Sequence, residues 1–560
     1  MRSINLCFGL ILFAAVLGVY WPILSAGFVN WDDGLNIVEN PHLGFTLEKL
    51  GWMFTDTDYV RRYMPIGWLS YSIDRSFFGG SALSYHLGNL LLHAANTLLL
   101  FSILRRLFTR QLIDVAPMHL SICSALGALC WAIHPLRAEP VSSASARIYC
   151  TAGLFFFLSI YFYLGQTDKQ RSRCFWLAAL FFGLSLFTYP IALGGIGVFV
   201  LLDFFVLGRM PLSPREWLKR ENIAVLLEKC AFLAPWIVIF GVNLWSRLNH
   251  LQMERVISFA EYSFPARVMQ AFWVLAWYAW KPWVPLHLAP KYSHLLSDTP
   301  YTMANILAVA GIIGLTVVLF LMRKKAPKLL LAWLCHLALL APFIGFTEHP
   351  HHTFDRYSYI AGAVWAALIA GFLLRWTRSR PAPFFLVIAG LAAALGLLAN
   401  AQTSVWNNSV NVQVAMADSI GNHPERAKHD VAAAIVLLSA NRLPEAETRL
   451  RLALAAHPAS AEAWGALGDV LSQEGSKEQA IAAYRKALEM KPELSAARQN
   501  LAVTFGMEGK HEEAVKELLI LLRDNPSSAN AHRNLAISLH HLGRIEEARA
   551  HMLEAKRLAQ

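Results

Sequence analysis

Two adjacent carboxylates, Asp32 and Asp33, follow the first long apolar run of the chain, residues 8–24. Like charges side by side repel each other, and each resists burial. The surrounding stretch, GFVNWDDGLNIVENP over residues 27–41, is also rich in Gly, Asn and Asp, which favour turns. The pair is therefore either a solvated turn or a reactive site at a membrane exit, and the rest of the chain must decide between them.

The composition places this pair in a polytopic membrane protein. Of the 560 residues, 56% are hydrophobic and only 16% are charged, which is too apolar for an ordinary soluble protein. The formal net charge is +11, but the basic residues lie in short loops between apolar runs. Such loop charge sets membrane orientation, so nucleic acid is excluded as a partner.

We predict an all-α protein with about eleven membrane spans. Basic loops alternate along the chain, and the positive-inside rule puts the N-terminus in the cytoplasm and the Asp32–Asp33 loop outside. The aromatic segment 268–280 is predicted to be interfacial or re-entrant, so residues after 400 also lie outside. The predicted spans are 6–24, 87–107, 117–133, 148–166, 174–188, 190–208, 226–246, 302–322, 328–346, 357–376 and 382–400.

Acidic and basic groups converge in the outer loops. Such a face suits a reaction in which a carboxylate acts as base and cations hold a phosphate. A polar stripe on one helical face also enters the second span, at His86, Asn89, His93 and Asn96; it serves either interhelical hydrogen bonding or substrate contact. The groups in the outer loops are Asp32, Asp33, Arg61, Arg62, His134, Arg137, Glu139, Arg147, Lys291, His349, His351, His352, Asp355 and Arg356.

Closely spaced histidines raise the question of a metal. His349, His351 and His352 lie beside Glu348 and Asp355, and these residue types can ligate a divalent cation. A loop broken by proline is also a common place for solvated histidines. A divalent metal is thus possible, but no ligand set is assigned.

A soluble tail begins at residue 427. Small and proline residues recur there at a period of 34 residues, which is typical of tetratricopeptide repeats. About four repeats are predicted over 427–560, with 401–426 as a connecting segment after a membrane domain over 1–400. Such an α-solenoid presents a concave groove that typically binds extended peptide. The recurring residues are Pro424, Pro458, Pro492 and Pro526, together with Ala446, Ala480, Ala514 and Ala548.

A multispan half with an outer-loop DD, joined to outward-facing repeats, resembles the TMTC-type O-mannosyltransferases and their bacterial relatives of the GT-C superfamily. The resemblance is carried by five stretches: FVNWDDGLNIVENP (28–41), YMPIGWLSYSID (63–74), YHLGNLLLHAANTLLLF (85–101), HPLRAEPV (134–141) and DRYSYI (355–360).

The resemblance implies sugar transfer on the outer face from a polyprenyl-phosphate-linked sugar, with Asp32 or Asp33 as general base. The departing lipid phosphate needs a cation, for which Arg356 is the first candidate and Arg147 the second. Glu139 matches an acidic position of the second outer loop. Substrate contacts are also expected from Asp355, Tyr357, His134, His86 and His93.

Two departures from the family pattern stand out. Relatives carry an acidic residue where this chain has Ile148 and Tyr149, and a basic residue or His where it has Met64. Arg61 and Arg62 lie close enough in sequence to compensate for Met64.

Three functions stay open. The first is a glycosyltransferase that moves a sugar, possibly mannose, to Ser or Thr of exported proteins, with the repeats recruiting the acceptor. The second is a GT-C ligase that modifies a glycan or a lipid. The third is a non-enzymatic scaffold. We expect a bacterial inner membrane with periplasmic repeats, or alternatively an endoplasmic reticulum membrane with lumenal repeats.

Overall fold

The computed structural model describes residues 2–112, 115–166, 171–211, 213–249, 262–292, 301–346, 351–377, 381–420 and 426–559. Within these residues the protein is all-α, apart from an isolated β-bridge between Tyr292 and Thr353. The chain divides into two compact units, Met1–Val412 and Gln413–Gln560. The first unit corresponds to the apolar part of the sequence and the second to the repeats.

The helices of the first unit follow the apolar runs of the sequence. They are α1 (Arg2–Tyr20), α2 (Leu47–Thr55), α3 (Pro65–Phe77), α4 (Ala82–Gln111), α5 (Pro117–Ala132), α6 (Ala138–Ser142), α7 (Arg147–Tyr163), α8 (Arg171–Thr188), α9 (Gly195–Phe205), α10 (Arg220–Glu228), α11 (Cys230–Asn249), α12 (Phe264–Trp280), α13 (Met303–Leu321), α14 (Pro327–Leu340), α15 (Ser358–Ala361), α16 (Ala363–Trp376) and α17 (Pro381–Thr403).

Six helical stretches of the described residues are long and apolar enough to cross a membrane, or up to eight if two bent pairs each count as one span. A span needs about 20 residues to cross roughly 30 Å of hydrocarbon. The predicted spans at 190–208 and 328–346 form shorter apolar helices, Pro190–Phe205 and Pro327–Phe343. The protein is multi-pass, but the number eleven stays a prediction. The six stretches are Ser3–Ser25, Ala82–Gln111, Ala144–Tyr163, Asn222–Ser246, Met303–Leu321 and Phe384–Trp406.

Two bent helix pairs change the direction of the chain. Pro117–Ala132 and Pro135–Ser142 meet at 61°, and Asp355–Ala361 and Ala363–Trp376 meet at 50°. The bends leave backbone N–H and C=O groups outside the regular helical hydrogen-bond pattern. In a membrane, such groups must find hydrogen-bond partners within the protein. Where α5 and α16 touch, a Cβ added to Gly127 would lie 2.6 Å from the Ala366 carbonyl oxygen, so this contact requires glycine.

The second unit is a series of helical hairpins. The alanines that recur every 34 residues are buried in the second helix of each pair, where close packing demands a small side chain. The predicted solenoid of tetratricopeptide repeats is confirmed. The connecting segment contains a helix, α18 (Ser409–Ser419), within which the division between the two units falls. The repeat helices are α19 (Arg426–Ser439), α20 (Leu443–Ala456), α21 (Ala461–Gln473), α22 (Lys477–Met490), α23 (Ser495–Met507), α24 (His511–Asp524), α25 (Ala529–His541) and α26 (Ile545–Leu558).

Candidate active site

The two adjacent aspartates point into different environments. Asp33 is 1% exposed, and its carboxylate accepts hydrogen bonds from the backbone N–H groups of Val29 at 3.0 Å and Ser145 at 2.9 Å. Burial raises the pKa of Asp33, although these hydrogen bonds oppose the shift. The Asp32 side chain keeps 28% of its surface exposed. Asp33 therefore joins the segment after α1 to the segment before α7, while Asp32 is partly exposed.

Asp32 faces a buried guanidinium. Its Oδ2 lies 3.0 Å from NH1 of Arg356, and Oε1 of Glu139 lies 3.2 Å from the same nitrogen. The other oxygen of Glu139 accepts the backbone N–H of Arg356 at 2.8 Å. Both Arg356 and Glu139 are buried. Two carboxylates thus share one cation, and only Asp32 of the three is accessible.

A second arginine lies in the same electrostatic environment. Electrostatic attraction, mainly to Tyr189 and less strongly to Asp32 and Tyr149, raises the pKa of Arg62 above its ordinary value. Burial acts in the opposite direction. Within the described part of the chain, the half-buried Arg62 side chain forms no hydrogen bond or ion pair. The sequence showed Arg62 only as a possible substitute near Met64, because its approach to Asp32 depends on the fold.

Tyr149 stands where the family pattern has an acid. The guanidinium carbon of Arg356 lies 5.8 Å from the centroid of the Tyr149 ring. The centroid of the Tyr189 ring lies 4.9 Å from the centroid of the Tyr149 ring. Aromatic rings attract a nearby cation through their π faces. The site therefore has aromatic surface beside Arg356.

Arg147 is engaged away from the aspartate pair. It forms an ion pair with Asp74, whose Oδ1 also accepts from NH2 at 3.2 Å. Further hydrogen bonds run from Arg147 to Asn89 at 3.0 Å and to the Tyr85 carbonyl at 2.7 Å. The two charged side chains are only 4% and 7% exposed. This arrangement favours a structural role for Arg147 over the predicted contact with donor phosphate.

Two other predicted substrate contacts brace the chain around Arg356. The Asp355 carboxylate accepts the hydroxyl of Tyr292 at 2.9 Å. The ring of Tyr357 stacks on Phe343, with 4.3 Å between centroids. Both contacts hold the short helical turn Asp355–Tyr357, so these residues position Arg356.

Two of the three predicted histidines engage backbone groups near the bends. His134 donates from Nε2 to the Pro282 carbonyl at 2.9 Å and accepts the Leu136 N–H at Nδ1. His93 lies 2.9 Å from the Ala132 carbonyl and 2.8 Å from the Tyr359 hydroxyl.

The rest of the polar stripe on α4 behaves similarly. His86 lies 3.4 Å from the Gly27 carbonyl, while Asn89 and Asn96 donate to the carbonyls of Ser143 and Cys150. Of the two predicted roles for the stripe, interhelical hydrogen bonding is the one that these contacts support.

Comparison with known proteins agrees with both halves of the chain. The family model described as tetratricopeptide repeat matches residues 431–495 and 501–560. Protein O-mannosyl-transferase TMTC2 of Mus musculus is 28% identical over 246 residues, which is 41% of this chain and 28% of that protein. The matches support a TMTC-type protein with tetratricopeptide repeats.

Two further protein O-mannosyl-transferases match at lower identity. Protein O-mannosyl-transferase tmtc2 of Xenopus laevis is 25% identical, over 42% of this chain and 28% of that protein. Protein O-mannosyl-transferase F38B6.6 of Caenorhabditis elegans is 22% identical, over 55% of this chain and 42% of that protein. The matched region thus spans less than half the length of these TMTC-type relatives.

The metal prediction concerns the loop before Arg356. His349 and Glu348 lie outside the described residues, and among the described residues no group of three or more His, Cys, Asp or Glu side chains could hold a metal ion. His351 is buried and His352 is partly exposed. No described residue is therefore assigned as a metal ligand.

Proposed function

We propose that this chain is an integral-membrane glycosyltransferase that transfers mannose from a polyprenyl phosphate to a Ser or Thr hydroxyl of an exported protein. The observation that carries the proposal is the exposed Asp32 carboxylate 3.0 Å from the buried Arg356 guanidinium. A base and an anion-binding cation are adjacent, as this reaction needs. The relatives are named protein O-mannosyl-transferases, and these names suggest mannose as the sugar and protein as the acceptor.

In the proposed step, Asp32 accepts the proton of the acceptor hydroxyl while the oxygen attacks the anomeric carbon. The bond between that carbon and the phosphate oxygen breaks, and the polyprenyl phosphate leaves with the electron pair. A single displacement inverts the anomeric centre and needs one base. The leaving group is already an anion, so cationic stabilisation replaces a general acid.

Arg356 and Arg62 are the proposed phosphate ligands. A guanidinium can hold two phosphate oxygens at once, and the Nε of Arg356 has no hydrogen-bond partner within the described residues. Donor binding draws Arg356 from Asp32 toward the phosphate. The Asp32 carboxylate is then free to contact the acceptor hydroxyl, and Glu139 stays as the counter-charge of Arg356.

The repeats are proposed to recruit the acceptor. Exposed apolar side chains recur on the first helix of three repeats at one register, Ile435, Val503 and Ile537. Residues at one register of a solenoid share a face, so this face suits an extended segment of polypeptide.

The test is sugar transfer by the full-length protein in liposomes that contain polyprenyl-phosphate mannose, with a Ser/Thr peptide as acceptor. Asp32→Asn is expected to lower the rate about 10²–10⁴-fold, the usual contribution of a general base. Its melting temperature should stay near that of the wild type. The matched control is Glu48→Gln, which removes an exposed carboxylate from the same loop and should leave the rate unchanged.

Equal rates for Asp32→Asn and the wild type would refute the role of Asp32. Transfer to a glycan or lipid acceptor but never to peptide would identify a ligase instead. If no donor supports transfer, the scaffold hypothesis is favoured.

A further inference from the structure

A large apolar cavity lies between the helices of the first unit, away from the aspartate pair. Its volume is about 1270 Å³, and it opens between α4, α7, α9, α14 and α16. The proposed transfer reaction uses none of its residues. The lining includes Leu104, Phe108, Phe157, Leu202, Leu339 and Val364.

Along α4, the cavity lies on the half of the helix away from the Asp32 loop. On α4 its lining runs from Leu100 to Gln111, while His86 near the other end of α4 approaches the loop that precedes Asp32. At 1.5 Å of rise per residue, that lining is about 17 Å long. One leaflet contributes about 15 Å of hydrocarbon. Along α4 the cavity therefore has about the length of one leaflet, on the half of that helix away from the Asp32 loop.

Cations mark the far end of the cavity. Lys325, Lys328 and Arg375 belong to its lining, and all three are exposed. Within the part of the chain that the structure describes, none of the three forms an ion pair or a side-chain hydrogen bond. Among the described residues, no acidic side chain pairs with these three positive charges, which lie directly beside the apolar cavity.

We propose that this cavity binds one anionic glycerophospholipid, with its acyl chains between the helices and its phosphate against Lys325, Lys328 and Arg375. An apolar space that opens to hydrocarbon is filled by chains, because an empty one forfeits dispersion contacts. Basic pockets between spans bind anionic headgroups on the cytoplasmic side. The positive-inside rule puts these loops on that side.

The donor lipid is the competing occupant. A polyprenyl phosphate held by Arg356 would have its phosphate at the outer loops, whereas the free cations of this cavity are at the opposite end. One phosphate cannot meet both sets of arginines and lysines. Charge complementarity therefore selects a separate lipid, whose headgroup lies in the other leaflet.

The test is native mass spectrometry of the full-length protein, released from nanodiscs that contain equal amounts of phosphatidylglycerol and phosphatidylcholine. Retained phosphatidylglycerol is expected on the wild type at one molecule per chain. Each cation near a membrane surface contributes about fivefold to the binding of anionic lipid. The double variant Lys325→Ala/Lys328→Ala should then weaken retention about 25-fold.

A matched control lies in the same loop. Arg323→Ala/Lys324→Ala removes the same charge from residues that do not line the cavity, and it should keep the lipid. Ala332→Phe adds volume at the cavity wall without changing charge, and it should displace the lipid while the basic residues stay. Together the variants separate a bound lipid from a diffuse surface attraction.

Three results would overturn the proposal. Equal loss in both charge variants would mean non-specific attraction to the basic loop. Retention of phosphatidylcholine as readily as phosphatidylglycerol would remove the role of the cations. Exchange of the retained lipid for added polyprenyl phosphate would assign the cavity to the donor.

Discussion

Replacing Arg147 by methionine is expected to lower the free energy of unfolding of the membrane unit by about 3–5 kcal/mol, the usual cost of removing one partner from a buried ion pair. The size of this loss follows from the groups that would remain buried without Arg147. Asp74 keeps a charge on a side chain that is 7% exposed, and the Tyr85 carbonyl and the Asn89 amide oxygen lose their shared donor. Gly88 admits the guanidinium because it has no side chain.

The assay is thermal unfolding of the purified protein in detergent, with transfer kinetics measured on the same samples. Asp74→Asn should also destabilise the protein. The double variant Arg147→Met/Asp74→Leu should recover much of the loss, since no charge then stays buried without a partner. A single variant Arg147→Met that melts like the wild type but has a raised KM for the polyprenyl-phosphate sugar would refute this reasoning and make Arg147 a donor ligand.

Three further outcomes are expected, each from a different physical effect. Gly468→Ala should destabilise the repeats by about 1–3 kcal/mol through overpacking, because the new Cβ would lie 2.5 Å from the Tyr484 ring. Gly506→Ala should instead stabilise them by about 1 kcal/mol through helix propensity, because its Cβ meets nothing closer than 3.9 Å. Equal melting temperatures for the two variants would contradict both expectations. Burial, and secondly the neighbouring His532, lower the pKa of His551. The free energy of unfolding of the repeats should therefore be highest above about pH 6.5 and should decline as the pH falls, because the unfolded chain then binds the proton more tightly. Melting temperatures measured by circular dichroism at pH 7.5 and 5.5 should differ less for His551→Gln than for the wild type. Asp33→Asn should cost about 1.5–3 kcal/mol, the value of one charge-assisted hydrogen bond, as measured by melting in detergent; an unchanged melting temperature together with lost transfer would make Asp33 the base.

The repeats and the apolar helices could be predicted from the sequence because both reflect local properties. A 34-residue period records the packing of each hairpin on the next, and an apolar run records the solvent around one helix. The span count could not be obtained in the same way. Whether α9 or α14 crosses a bilayer depends on its neighbours, since both are shorter than the hydrocarbon is thick.

The roles within the candidate site depended on contacts that are distant in sequence. Asp32 and Asp33 are the same residue type, but adjacent positions on a turn face different ways. As a result, the Asp32 side chain contacts solvent and the Asp33 side chain contacts backbone amides. Arg147 and Arg356 were both plausible cations. Asp74, 73 positions before Arg147, engages the first of them, and no pattern in the sequence indicates that pairing.

Asp32 and Arg356 lie 324 positions apart in the chain, and this separation affects how the protein is made. A polytopic chain enters its membrane from the N-terminus onward, so Asp32 reaches the surface well before its cation has been synthesised. During that interval the carboxylate of Glu139 also lacks its partner, and the second bent helix pair is still absent. The ion pair forms only after the segment before α16 has been made, so its formation is a late step in the assembly of the membrane unit. A chain that stops earlier carries Asp32 without Arg356, so it lacks one of the two groups on which the proposed transfer depends.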